Sequence, residues 1–130
     1  MNEPTIFLIE GDDDARPLLR KNLKNNSYKV SLAIDEEDAL DRVNKGCFSA
    51  DLVLMDLPDK TVEEILNIGR NIRRKGNLNV PIVVIAAKYG EDLEGKDVQV
   101  TENEYITYLE DGEQLFELLS RLLPIQNEKV

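Results

Sequence analysis

The chain has few of the residue types on which several common kinds of site depend. Its 130 residues include no histidine, no tryptophan and a single cysteine, Cys47. One cysteine excludes an internal disulfide framework and fits a reducing compartment. Without histidine, Cys47 also lacks the imidazole that usually activates a thiol nucleophile. We therefore expect Cys47 to be a small packed side chain.

Basic residues and long apolar runs are also scarce. The chain has 16 Lys and Arg residues and 26 Asp and Glu residues, which gives a net charge of −10. This charge repels nucleic acid and anionic lipid and favours proteins or cations as partners. No apolar run approaches the roughly 20 residues that cross a bilayer, and the start Met1-Asn2-Glu3-Pro4 lacks the basic segment of a secretion signal. We expect a cytoplasmic protein that neither binds nucleic acid nor inserts into a membrane.

What the chain contains is an alternation of strand and helix patterns. Continuous apolar runs, typical of strands covered on both faces, occupy Ile6 to Ile9, Leu52 to Met55 and Val80 to Ile85. The alternating segment Tyr28 to Ala33 predicts a strand nearer an edge, and Tyr105 to Leu109 is the candidate fifth strand. The length suits one domain, residues 1–123, followed by a C-terminal tail, residues 124–130.

Helix patterns lie between these strands. Thr61 and Glu64 form a capping box at the start of one helix, Asp35 caps another, and Asp111 with Gln114 begins the last helix before Pro124. The first helix follows the acids Asp12 to Asp14, with Leu18, Leu19 and Leu23 predicted to face the sheet. The weak segment is Glu91 to Asn103, which has two nearby glycines, little helical periodicity and the β-favouring sequence Val98-Gln99-Val100, so a helix there would be short or distorted.

Five strand and helix units with right-handed crossovers predict an α/β fold: a five-stranded parallel sheet of flavodoxin-like order 2-1-3-4-5 in a (βα)5 three-layer sandwich. In that order strands 1 and 3 are neighbours, and their C-terminal ends flank the point where ligands bind. Asp56 and the cluster Glu10 to Asp14 therefore converge. Grouped carboxylates raise one another's pKa unless a cation relieves them, and oxygen ligands favour Mg²⁺. A carboxylate beside Mg²⁺ can also attack phosphorus.

The segments Ile6-Phe7-Leu8-Ile9-Glu10-Gly11-Asp12, Asp51 to Leu57, Pro81 to Lys88 and Glu104-Tyr105-Ile106 resemble the receiver domain of two-component response regulators. The resemblance covers residues 4 to 123, and we expect a stand-alone domain with no output domain after it. It implies that Asp56 is the phosphoacceptor, which takes a phosphoryl group from a histidine kinase or a phosphotransfer protein. It also implies protein partners, a downstream effector among them, and no catalytic residue.

The resemblance implies a Mg²⁺ site made by Glu10, Asp12, Asp56 and the backbone carbonyl of Pro58. Ungapped alignment puts Glu10 and Gly11 in the two slots of the family's acidic pair, and Gly11 has no side chain to coordinate a metal. A shift of one residue would put Asp12 and Asp13 there instead, and the spacing to Arg16 favours the ungapped register.

Other family positions are also altered. Ala86 replaces the Ser or Thr that binds the phosphoryl group, and Tyr108-Leu109 replaces the Lys and cis-proline pair, so a trans bond is expected at Leu109. Tyr105 occupies the aromatic switch position, without a hydroxyl at position 86 to couple it. Lys60 or Lys88 could replace the lost cation, although both are typical of solvated surface lysines.

The sequence thus predicts an atypical, stand-alone receiver-like protein, not an enzyme, with weak or absent Mg²⁺ binding and phosphorylation. It would act by protein contact through residues 91–103, the fifth strand and the last helix. The first alternative is a functional Mg²⁺-dependent receiver phosphorylated on Asp56. A remote alternative is a small phosphatase of the haloacid dehalogenase type, suggested by Asp12-Asp13-Asp14 after a strand. A flavin-binding domain is disfavoured because the acid cluster would repel a phosphate.

Overall fold

The computed structural model describes residues 3–46 and 48–123. Strands and helices alternate through most of this part of the chain, as the sequence predicts. The strands are β1 (Thr5–Glu10), β2 (Lys29–Ala33), β3 (Leu52–Asp56), β4 (Ile82–Ile85), β5 (Asp97–Thr101) and β6 (Glu104–Thr107). The helices are α1 (Ala15–Asn25), α2 (Glu36–Asn44), α3 (Val62–Lys75) and α4 (Gly112–Leu122), with a 3-10 turn at Glu91–Leu93.

The strands form one sheet in the order β2-β1-β3-β4-β6-β5. The pairs from β2 to β6 are all parallel, and β1 lies between β2 and β3. The three continuous apolar runs form the centre of this sheet, where their side chains are buried on both faces. The parallel part of the flavodoxin-like fold is therefore confirmed.

Two apolar layers enclose the sheet. Alternate side chains of the central strands, such as Phe7 and Val53, pack beneath α2 and α3. Their neighbours, such as Leu8 and Leu54, pack with α1 and α4. In α1, Leu23 is fully buried but Leu18 is 61% exposed, so the prediction that Leu18 faces the sheet is wrong. Residues four apart share a face of a helix, so Leu19 and Leu23 lie on the same face. Leu18, one position earlier than Leu19, lies off that face.

The predicted helix starts are present. Thr61 Oγ1 accepts from Glu64 N at 3.1 Å while Glu64 Oε1 accepts from Thr61 N at 2.8 Å, which completes the capping box. Asp35 and Asp111 each accept a hydrogen bond from the backbone three residues later. These local bonds fix where the loops enter α2, α3 and α4.

The prediction of five parallel strands in a (βα)5 sandwich is wrong in one region. The connection between β4 and β6 forms the 3-10 turn and then the extra strand β5, which pairs antiparallel with β6 at the sheet edge. Gly95 has a φ of +81°, a left-handed conformation that interrupts a helix. Beyond it, the β-branched Val98 and Val100 favour an extended chain. The sheet consequently has six strands in the described residues.

The predicted tail, residues 124–130, and Cys47 lie outside the described residues. In residues 3–46 and 48–123, none of the helices has the length and apolar character required to span a bilayer.

Candidate functional site

Glu10 and Asp56 lie side by side at the C-terminal ends of the two central strands. They are register partners in the parallel pairing of β1 with β3, and the next residue, Gly11, donates its N–H to Asp56 O at 2.9 Å. Glu10 is fully buried and Asp56 is half-buried. The topology therefore brings together the two acids that the sequence singles out first.

The two carboxyl groups share a poorly hydrated site, and this changes their protonation. Burial, followed by the adjacent Asp56, raises the pKa of Glu10 from its ordinary 4.5 to about 8. Burial also raises the pKa of Asp56, which the contact with Glu10 partly offsets. Near neutral pH the pair therefore holds one proton, mainly on Glu10, because two adjacent carboxylates cannot both ionise at low cost.

The remaining acids of the cluster are exposed, and the charge of Asp12 contributes to the raised pKa of both Glu10 and Asp56. Asp12 is exposed, and its backbone N–H donates to Glu10 Oε2 at 3.2 Å while its Oδ1 accepts from Asp14 N at 2.9 Å. Asp13 is exposed and pairs with Arg16 at 2.8 Å. Since Glu10, and not Asp13, lies beside Asp56, the geometry favours the ungapped register.

A divalent ion would need more than this pair of carboxyls. One buried oxygen, Glu10 Oε1, has no hydrogen-bond partner among the described residues and is the atom that a cation would suit. The same residues contain no group of three or more Asp, Glu, His or Cys side chains close enough to hold a metal ion. Gly11 contributes no ligand, and Glu10 would have to lose its proton. The arrangement is therefore a poor fit for Mg²⁺.

A side chain at Gly11 would be crowded by the buried Leu57 and would need that residue to shift. A Cβ built there would lie 3.2 Å from Leu57 Cδ2 and 3.8 Å from Pro58 Cδ. The nearer atom ends a flexible side chain, so a small shift of Leu57 would admit a larger residue. The short loop after Asp56 is closed by Lys60 N, which donates to Leu57 O at 3.0 Å.

The end of β4 is apolar where the family pattern has a hydroxyl. Ala86 is 4% exposed, and its N–H donates to Thr107 O at 3.0 Å. It packs in the layer beneath α2 and α3. A phosphoryl group on Asp56 would find no side-chain donor at position 86.

Aromatic rings replace a cation at the end of β6. The rings of Tyr89 and Tyr108 meet edge to face with centroids 5.5 Å apart, and the Tyr89 hydroxyl donates to Leu109 O. The Tyr108 backbone bonds to both Gly95 and Lys96, so this end is tied to the segment before β5. No cis peptide bond occurs in the described ranges, and the bond before Leu109 is trans.

Tyr105, at the aromatic switch position, is half-buried in the layer formed with α1 and α4. It lines a cleft of about 280 Å³ together with Gln99, Leu118 and Arg121. Asp97 also lines this cleft, and its Oδ1 accepts from both the Thr107 hydroxyl at 2.7 Å and Gln114 Nε2 at 2.8 Å. These contacts join β5, β6 and α4 into one surface, so the three segments predicted to mediate protein contact are neighbours.

Lys60 and Lys88 line one cleft of about 330 Å³ beside the loop after Asp56. Its floor includes Ile65 and Ala86, and Pro58 forms part of its wall. Both lysines are exposed, and neither forms an ion pair within the described part of the chain. They are the cations nearest in sequence to the altered site.

Sequence reasoning missed two contacts, one at this site and one at the start of β6. Tyr89 was not singled out, because its role depends on a contact with a residue 20 positions away. Glu104 is buried between Arg70 and Arg73. The only indication of this ion pair in the sequence is an acidic residue at the start of an apolar strand. In both cases the partner is supplied by the tertiary fold.

No family model matches the chain. It is 30% identical, over 126 residues, to the response regulator MprA of Mycolicibacterium vanbaalenii, an alignment that covers 90% of this chain and 48% of that protein. The chain thus spans about half the length of this curated relative.

Solved structures give a consistent picture. The receiver domain of the sensor histidine kinase PA1611 from Pseudomonas aeruginosa, with a magnesium ion coordinated in its active-site cleft, is 25% identical with a TM-score of 0.64, over 93% of this chain and 98% of that one. The Thermotoga maritima response regulator TrrA, in complex with Mg²⁺ and BeF, is 22% identical with a TM-score of 0.65, covering 92% and 99% of the two chains. The Vibrio cholerae chemotaxis protein CheY4 is 20% identical with a TM-score of 0.68, covering 94% and 100%.

The fold and the paired acids at the switch point define an α/β protein of the flavodoxin-like class. The similarity to MprA and to the receiver domain of PA1611 supports its recognition as a response regulator receiver domain.

Proposed function

We propose that this receiver domain acts by protein contact, with phosphorylation of Asp56 weak or absent. The observation that carries the proposal is the full burial of Glu10 beside Asp56, next to Gly11, which has no side chain to add a ligand. Burial beside Asp56 raises the pKa of Glu10 to about 8. A proton then competes with a divalent cation for the Glu10 carboxyl, because metal ligation requires the deprotonated form.

Three further differences from the family pattern support the same conclusion. Gly11 removes an acidic ligand, Ala86 removes a hydroxyl, and Tyr108 stands where a lysine would neutralise the phosphoryl group. One lost charge-assisted contact is worth roughly 1.5 to 3 kcal/mol, or one to two orders of magnitude in an equilibrium constant. Phosphotransfer to Asp56 would therefore be disfavoured both by weak metal binding and by an uncompensated product.

The contact surface of the proposal comprises residues 91–103, β6 and α4, here called the β5 face. Arg121, Gln114 and Thr107 all contact Asp97, so the strand and the helix are held together. A histidine kinase, a phosphotransfer protein or a downstream effector is the class of partner that the family suggests. The proposal includes a cytoplasmic location and no enzymatic activity of the chain itself.

Incubation with Mg²⁺ and a small acyl-phosphate donor tests the proposal. We expect the intact mass of the protein to remain that of the unmodified chain, because neither metal nor phosphoryl group is well held. Stoichiometric addition of one phosphoryl group that disappears in the Asp56→Asn variant would overturn the proposal. A typical receiver domain treated in parallel shows that the donor is active.

A functional receiver is the second candidate, and the cleft that holds Lys60 and Lys88 favours it. In this alternative Glu10, Asp12, Asp56 and the Pro58 carbonyl bind Mg²⁺, and one lysine neutralises the product. Titration of Mg²⁺ separates the two candidates. We expect no saturable binding at neutral pH by the native chain, and saturable binding by Gly11→Asp, which adds a carboxylate once Leu57 shifts by a few tenths of an ångström. Saturable, Glu10-dependent binding by the native chain supports the alternative.

A further inference from the structure

A cleft of about 310 Å³, here called the arginine cleft, lies at the end of the sheet opposite Asp56. Its lining is almost wholly polar and consists of Arg70, Arg73, Arg74, Asn77, Leu78 and Asn79. The arginines belong to the last part of α3, and the other residues belong to the loop that leads from α3 into β4. Because β3 and β4 run parallel, this loop lies far from the C-terminal end of β3. Asp56 therefore takes no part in the arginine cleft.

The guanidinium groups of this cleft are held in place by other residues of the chain. Arg73 Nη1 donates to Val80 O at 3.2 Å, and Arg74 Nη2 donates to Asn71 Oδ1 at 2.6 Å. An arginine has five N–H donors, so Arg73 and Arg74 each retain donors for a ligand. Binding to donors that are already ordered costs little conformational entropy.

The arginine cleft has an excess of positive charge. Arg70 and Arg73 share one carboxylate, that of Glu104, and within the ranges that the structure describes Arg74 forms no ion pair. Three guanidinium groups and one carboxylate leave two positive charges uncompensated, in a chain whose net charge is −10. The adjoining cleft, which shares Arg73, contains Glu102 and Glu104. An anion is therefore favoured on the side of Arg74.

The helix dipole explains only part of this arrangement. Cations in the last turn of a helix are stabilised by its negative end, and α3 has Arg73, Arg74 and Lys75 there. The dipole acts on all three cations, but only the two arginines line the cleft, together with the amides of Asn77 and Asn79. The planar guanidinium group, unlike the lysine ammonium, binds two oxygens of one anion at once.

We propose that the arginine cleft binds a phosphate group, either of a small polar molecule or of free phosphate. A phosphate monoester has nearly two negative charges at neutral pH, which matches the two uncompensated positive charges. The asparagine amides can bind hydroxyl groups, and Leu78 alone gives little surface for an aromatic ring or an apolar peptide. A long acidic polymer would also meet the negative remainder of the surface, so a small anion is favoured. This site is separate from the proposed function at Asp56.

Titration of the full chain with glycerol 3-phosphate at constant ionic strength, followed by backbone amide NMR, is the test. We expect saturable shifts in Asn77 to Asn79 and the last turn of α3, and none with glycerol. Tighter binding of glycerol 3-phosphate than of inorganic phosphate assigns the cleft to an organic phosphate, and equal binding assigns it to phosphate itself. Tighter binding of acetate or of tetraglutamate than of either phosphate overturns the proposal.

Arg74→Gln and Lys75→Gln are a matched pair of variants. Both residues are exposed in the last turn of α3, and only Arg74 lines the cleft. We expect Arg74→Gln to weaken phosphate binding roughly tenfold or more, because it loses a charge-assisted contact. Lys75→Gln, which removes the same charge outside the cleft, should weaken it less than about twofold.

Thermal unfolding of both variants checks that the fold is intact. Absence of saturable shifts in the native chain, or equal weakening in the two variants, overturns the proposal. Either result leaves the proposal for Asp56 standing, because the two sites lie at opposite ends of the sheet.

Discussion

Replacing Glu10 by glutamine should remove most of the pH dependence of stability between about pH 5 and about pH 8. The folded protein raises the pKa of Glu10 to about 8 from an ordinary 4.5. Its contribution is therefore fully present below the unfolded pKa and is lost as pH rises through the folded pKa. Over that interval the native chain must either ionise a buried carboxyl beside Asp56 or keep a proton at growing cost.

The expected size follows from the shift. Each pKa unit corresponds to roughly 1.4 kcal/mol, so a shift of this size sets an upper bound of about 5 kcal/mol. Local rearrangement and water entry reduce such values, and a loss of about 2 to 4 kcal/mol in the free energy of unfolding is expected. Glutamine imitates the protonated acid in shape and can donate to Asp56. We expect Glu10→Gln to match the native chain at acidic pH and to exceed it above about pH 8.

Urea unfolding followed by circular dichroism, at a series of pH values without divalent ions, measures this. Glu37→Gln is the matched control, because Glu37 is exposed on α2 and its replacement should leave the native pH profile intact. If Glu10→Gln retains the native fall in stability with rising pH, the proton is not held on Glu10. That outcome would also remove the main support for weak metal binding.

The fold was predictable where a strand's environment is uniform along its length. Ile6 to Ile9, Leu52 to Met55 and Ile82 to Ile85 are buried on both faces, and this requires a continuous apolar run that is visible in the sequence. The capping box at Thr61 was equally visible, because all of its atoms lie within four residues.

β5 was harder to predict because local preferences there are weak. All five of its residues are classed as exposed, so the sequence has no apolar stripe that would indicate which structure the segment adopts. The choice of a strand depends on the open edge of β6 and on the side-chain contacts of Asp97 with Thr107 and Gln114. Those contacts span 10 and 17 residues and leave no periodic signal.

The candidate site likewise has features that could be predicted from the sequence and features that could not. The meeting of Glu10 and Asp56 follows from strand order, and the losses at Gly11, Ala86 and Tyr108 could be read from single positions. The sequence predicted that grouped carboxylates raise one another's pKa, but not that burial of Glu10 would be the larger cause. The contact of Tyr89 with Leu109 likewise depends on a loop path that the sequence leaves open.

The second large effect concerns Glu104, the buried acid at the start of β6. It is 3% exposed, and it accepts from Arg70 Nη2 at 2.6 Å and from Arg73 Nη2 at 2.9 Å. A second bond from Arg70 Nε, at 2.9 Å, makes the Arg70 contact bidentate. These bonds join α3 to the sheet next to β4. Hydrogen bonding by Arg70 is the main reason that the pKa of Glu104 is lowered.

Glu104→Gln should lower the free energy of unfolding at neutral pH by about 2 to 3 kcal/mol, because two guanidinium groups lose their shared carboxylate. This loss of free energy is at the lower end of the range for breaking a buried ion pair, because Arg70 is 42% exposed and can be hydrated. A lowered pKa means that this contribution is present above the ordinary value of 4.5 and is lost as pH falls further. The variant and native curves should therefore converge in acid.

Urea unfolding at neutral and acidic pH checks both parts of this expectation. Glu102→Gln is the matched control, since Glu102 lies two residues away and is exposed, and it should change stability by less than about 0.5 kcal/mol. A Glu104→Gln variant as stable as the native chain at neutral pH would show that the ion pair only offsets the cost of burying Glu104. The contribution of Glu10 to stability is lost as pH rises, and that of Glu104 is lost as pH falls. The native chain should therefore be most stable near about pH 5. In the double variant this maximum should flatten.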